Sequence, residues 1–130
     1  MKALLPPGWP RPRGYANGIS ATGRLIVTAG VVGWDANEQF AAEDLHGQFA
    51  QALRNILAIL AEDNAGPEHI VRMTCYVTDI EAYRSSLADI GDAWKVIVGR
   101  HYPAMALVGV SALVEPKALV EIEAMAVVPE

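Results

Sequence analysis

Ala104-Met105-Ala106-Leu107-Val108-Gly109-Val110 is apolar at every position, so the strand it predicts has no polar face. A strand that meets water on one side alternates apolar with polar residues; an unbroken apolar run is the pattern of a strand covered on both sides. The covering elements must therefore be sought elsewhere in the chain. Pro103 bars a helix from running into this segment, and the turn at Glu115-Pro116-Lys117 separates it from a further strand at 118–128.

Upstream, Ile80, Tyr83, Leu87, Ile90, Trp94 and Ile97 recur at helical spacing and predict one continuous helix. Thr78 and Glu81 stand at capping-box spacing at its start, directly after a strand predicted at Ile70–Val77. A first helix is predicted from about Ala42 to Asp63. Leu45, Phe49, Ala52, Leu53, Ile56 and Leu60 form its apolar stripe, and Gln48, Gln51, Arg54 and Asn55 fall on the opposite side. Asn64-Ala65-Gly66-Pro67 supplies the breakers that end it. Short strands at Tyr15–Ile19 and Arg24–Gly30 flank a turn at Ser20–Gly23, and Val31–Trp34 is predicted as a third. Residues 1–14 carry four of the eight prolines and predict an extended arm.

The order β-β-(β)-α-β-α-β-β describes one α+β domain over residues 1–130, a mixed sheet with two helices on one face. Two helices cover one side of the 104–110 strand. No element remains for the other, so the economical covering layer is another copy of the chain, and a symmetric oligomer is predicted with its bare sheet faces inward. The composition agrees, with 52% hydrophobic and only 19% charged residues.

Several classes of function are disfavoured. The net charge is −5 and the ten Lys and Arg residues are scattered, so no basic stripe exists for nucleic acid, and no nucleic-acid partner is expected. No apolar run approaches a membrane span, and the run Ala3-Leu4-Leu5 is too short for a signal peptide before Pro6 and Pro7 break it. A single cysteine, Cys75, allows no intrachain disulfide and suits a reducing cytoplasm. His46, His69 and His101 show no ligand-like spacing to one another or to Cys75, so neither a metal nor a cofactor is expected. The glycines form no phosphate-binding motif.

Four segments, in order, resemble the RidA family, also called YjgF or L-PSP endoribonuclease-like. They are Arg24-Leu-Ile-Val-Thr-Ala-Gly30, Ile70-Val-Arg-Met-Thr-Cys-Tyr-Val-Thr-Asp79, Tyr102-Pro103-Ala104 and Val120-Glu-Ile-Glu-Ala-Met-Ala126. The similarity spans about Tyr15 to Val128. It implies a chorismate-mutase-like subunit assembled as a homotrimeric barrel, with three small-molecule clefts between subunits. The best-characterised members hydrolyse imines and enamines derived from amino acids, releasing ammonia and a keto acid.

The resemblance also assigns positions. Tyr15 matches a tyrosine that lines the cleft, and Glu121 matches a glutamate thought to orient water. Where the family keeps an arginine for the substrate carboxylate this chain has Met105; Ala29 and Leu107 replace a small hydroxyl residue and a cysteine or similar residue. The usual asparagine of the second helix has no clear match, Ala88 and Asp89 being nearby. The resemblance therefore implies a ligand-binding trimer with non-standard chemistry: hydrolysis of a less anionic or more apolar imine, or a non-catalytic binding or interaction module.

Alternatives stay open for single residues. Glu121 and Glu123 share a strand face with Met125 and Val127, opposite Val120, Ile122, Ala124 and Ala126. A carboxylate on such an apolar face is costly unless it is hydrogen-bonded, so each glutamate is either a water-positioning acid/base or half of an intersubunit pair with Lys or Arg. Trp34 and Tyr102 either wall a pocket or pack in the core. Arg100 and His101 either replace the missing cation or are loop residues, and Cys75 reads as a buried small hydrophobe.

Overall fold

The computed structural model describes residues 1–130. In chain order it contains β1 (Lys2–Ala3), β2 (Ile19–Ser20), β3 (Arg24–Val27), β4 (Val31–Val32) and α1 (Leu45–Ala61). A 3-10 turn (Pro67–His69) leads into β5 (Ile70–Val77), followed by α2 (Ile80–Ser85), α3 (Leu87–Ile97), β6 (Ala104–Gly109) and β7 (Val120–Val128). β7 is the hub of the main sheet. It pairs antiparallel with β3, β4 and β5, and β5 pairs in parallel with β6 at the edge. The parallel pair requires a crossover, which α2 and α3 supply.

Alternation on β7 sets the two faces of the sheet. Val120, Ile122, Ala124 and Ala126 are buried under the helices with Met73, Cys75 and Val77 of β5. They meet Phe49, Leu53, Ile56 and Leu60 of α1 and Ile90 and Trp94 of α3, the stripes read from the sequence. Each fully buried aliphatic side chain here contributes about 1.5–3 kcal/mol, so this layer dominates the stability of the subunit. Cys75 is buried within it, and desolvation pushes its thiol up to about 12.

The other face carries no covering element. Leu25, Val27, Val108 and Met125 are between 41% and 62% exposed there, so the bare apolar surface inferred from the sequence is present. β6 shares this arrangement. It is an edge strand covered on the helix side alone, with Val108 and Gly109 exposed.

Four further differences have local causes. The helix after β5 is two helices, because the chain leaves helical geometry at Ser86, where φ is −106° and ψ 8°. Its N-cap is Asp79, whose carboxylate accepts from Ala82 N at 3.0 Å, in place of the Thr78–Glu81 box. Gln48 is buried although the stripe places it outside: its amide donates to Ala42 O (3.2 Å) and Lys117 O (3.0 Å) and accepts from Leu119 N (2.8 Å). Full satisfaction removes the usual penalty for burying an amide and ties α1 to the start of β7. The arm is partly structured, since β1 pairs antiparallel with β2 and Leu4 N donates to Gly18 O at 2.9 Å. That leaves most of the predicted Tyr15–Ile19 strand irregular.

Candidate functional site

The arm, α2, α3 and β6 enclose a cavity of about 400 Å³. Its position follows from one backbone contact. Ala16 N donates to Pro103 O at 2.9 Å, and Ala16 bridges Ala104 in parallel, which fixes Tyr15 beside the start of β6. Gly14, at φ 79°, makes the left-handed turn before it. On β6, Met105 and Leu107 are in register with Met73 and Cys75, so both point to the helix side and form part of the cavity wall.

Three of the sequence-assigned residues, Tyr15, Met105 and Leu107, are thus brought together. Phe49, Tyr83, Leu87, Ile90 and Trp94 complete the apolar wall with Tyr102. Trp94 and Tyr102 stack with centroids 6.1 Å apart and planes within 8°, and Trp94 Nε1 donates to His101 O at 3.1 Å. Burial pushes the Tyr83 hydroxyl above its ordinary pKa, with the neighbouring Cys75 adding to the effect. Arg13 and Lys95 are exposed residues on the lining, and no carboxylate or histidine lines the cavity.

The other two assigned residues lie elsewhere. Glu121 projects from β7 on the bare face, beside Gly30. A Cβ on Gly30 would stand 2.5 Å from Glu121 Oε2, so the missing side chain is what lets the carboxylate occupy that position. Ala29 is exposed next to it, and its carbonyl accepts from Thr28 Oγ1 at 2.8 Å. That hydroxyl also accepts from Ala124 N at 3.0 Å, so it is committed to the backbone. Within one chain the sheet separates Glu121 and Ala29 from Met105 and Leu107.

Glu123 is partnered by a residue the sequence did not suggest. Tyr76 donates its hydroxyl to Glu123 Oε1 at 2.7 Å across the bare face. That hydrogen bond is the main reason the Tyr76 pKa lies above its ordinary value; desolvation and the charges of Glu123 and Glu121 add, and Arg72 opposes. His101 turns Nε2 to Ile70 O at 2.6 Å, Arg100 is exposed, and neither lines the cavity. Ala88 and Asp89 are exposed on α3. Of the two aromatics left open, Tyr102 walls the cavity, whereas Trp34 lies between β4 and α1 and packs on Phe40. The cavity aromatics on α2 and α3 all fall on the helical stripe, which gave their face but not what the face overhangs.

The fold defines an α+β subunit of the RidA type. The sequence profile of the family described as Endoribonuclease L-PSP matches residues 10–128, and the chain belongs to this family. A RutC family protein of Aquifex aeolicus is 32% identical over 98% of this chain and 99% of its own length. The 2-iminobutanoate/2-iminopropanoate deaminase of Salmonella typhimurium is 30% identical over 87% of this chain and 86% of its own. Among solved structures, the Rid-family protein YyfB of Yersinia pestis superimposes with a TM-score of 0.86 at 30% identity, covering 98% of both chains. No helix of the chain is long and apolar enough to cross a membrane.

Proposed function

We propose that the protein is a homotrimeric, cytoplasmic Rid-family hydrolase of small imines or enamines, its sites assembled between subunits. The carrying observation is the division of the site between the two faces of the sheet: cavity residues Tyr15, Met105 and Leu107 on one, Glu121 and Ala29 on the other. An acid/base group and an apolar cavity that cannot meet within one chain meet if the bare face of one subunit abuts the cavity of the next. The exposed Leu25, Val27, Val108 and Met125 supply the surface for such packing. A similar relative bears the name of a 2-imino acid deaminase, which supports the reaction class.

In that reaction the Glu121 carboxylate takes a proton from water as the water oxygen adds to the C=N carbon. The nitrogen gains a proton, giving a carbinolamine that collapses to the carbonyl product and ammonia. The protein's contribution is positioning and proton management. Met105 in place of a cation on β6 favours a more apolar substrate than 2-iminopropionate.

Ammonia release from imines freshly generated from hydrophobic amino acids tests the reading. Turnover is expected for the wild type and should be lost in Glu121→Ala with the trimer intact; a fully active Glu121→Ala would overturn the assignment. The second reading, a non-catalytic binding module on the same trimer, draws on the absence of any carboxylate or histidine in the cavity lining. Saturable binding without turnover across an imine panel would favour it. A ribonuclease, which the family description names, has against it the net charge of −5 and the lack of a basic stripe.

A further inference from the structure

The lining of the cavity runs against the charge of this acidic chain. Of its 13 lining residues, Arg13 and Lys95 are cationic and none is acidic, although the chain as a whole carries a net charge of −5. Neither cation forms an ion pair within the chain, as is true of every Lys and Arg except Arg24 and Arg84. Both are exposed, which puts them at the solvent edge, and the remaining wall is apolar and aromatic. Two free cations over a low-dielectric wall focus a positive potential on the mouth.

We propose that this cavity takes an amphipathic organic anion, a carboxylate on an apolar body of aromatic size, whose charged end is held at the mouth by Arg13 and Lys95. The anion anchor is thereby moved from β6, where Met105 stands, to the arm and α3. The body of the ligand extends inward over Met105 and Leu107, with the stacked Trp94 and Tyr102 as a flat wall. A volume of about 400 Å³ is of ordinary size for an organic ligand and leaves most of the space empty around a three-carbon acid. Arg13 belongs to the arm, so the β1–β2 pairing and the Ala16–Pro103 contact act here as positioning structure.

This rests on the cavity being the ligand site of the proposed function and names its substrate class. The test uses ligands without a C=N bond, so its failure is distinct from a failure of the hydrolase reading. Calorimetric titration of the full-length protein with 3-phenylpropionate, neutral 3-phenylpropanamide and propionate measures charge and size preference separately. The acid is expected to bind roughly five- to tenfold more tightly than the amide, as suits partly exposed ion pairs. Propionate should bind more weakly still, and added salt should erode the preference for the acid. In the double variant Arg13→Gln, Lys95→Gln, two exposed substitutions, acid and amide should converge. Equal affinities in the wild type, a preference surviving in the double variant, or no saturable binding of 3-phenylpropionate would each overturn the proposal. Imine turnover without charge preference would remove this inference and leave the hydrolase; charge preference without turnover would do the reverse.

Discussion

The two faces of the main sheet come from the same strands and are built to opposite specifications. Toward the helices, β5 and β7 present only apolar side chains, all buried, next to a cavity whose charged lining residues are two cations. Toward the bare side, the same strands present Arg72, Thr74, Tyr76, Glu121, Glu123 and the exposed Met125, flanked by the exposed Leu25 and Val27 of β3 and Val108 of β6. The first face is finished within one chain. The second has no covering element within the chain, and it is where Glu121 lies. A period of two thus gives one strand two faces of independent composition.

Substitutions that act on one face and spare the other sharpen this contrast. The largest effect is expected from Val27→Asp, which sets a charge in the exposed apolar surface of β3. Sedimentation should show the species reduced to the mass of a single chain with helical circular dichroism retained; an unchanged trimer would refute the bare face as interface. Ile56→Ala, on the helix side, is expected to cost about 2–5 kcal/mol in denaturant unfolding through the cavity it leaves. Gly30→Ala probes the acid. Its Cβ would collide with the Glu121 carboxylate, and a displacement of that kind is expected to lower imine turnover by about 100-fold. Affinity for cavity ligands should change little, because Gly30 is not on the cavity lining.

The smallest effect is a titration. The Tyr76 pKa is raised, first by donation to Glu123, so its proton stabilises the folded state below the unfolded tyrosine pKa. That stabilisation is lost as pH rises through the folded value. Tyrosinate absorbance at 295 nm should show one residue fewer titrating late in Tyr76→Phe, and Tyr76 titrating earlier in Glu123→Gln. A late transition unaltered by Glu123→Gln would assign the shift to burial instead.

Much of this was legible in the sequence because it depends on period. The stripes of α1 and the later helix, the alternation on β7 and the apolar run of β6 named the core faces correctly, and the bare face followed from them. Local features that depend on three-dimensional partners were not legible. Ser86 breaks a stripe that continues on both sides of it, and Asp79 wins the cap from Thr78. Gln48 is polar at a position where three backbone groups happen to need an amide. The site shows the same division. Tyr15, Met105 and Leu107 stand at the family's motif positions, but Arg13 and Lys95 belong to no periodic pattern. They reach the cavity through the arm's contact with Pro103 and the placement of α3.

The stack of Trp94 on Tyr102 makes the protein its own optical probe. The chain has three tryptophans: Trp9 is 59% exposed, Trp34 sits away from the cavity, and Trp94 is buried in its wall. Emission from Trp9 should be red-shifted by water and that from Trp94 blue. A molecule entering the cavity would alter the blue component alone, so binding can be followed by fluorescence without a label.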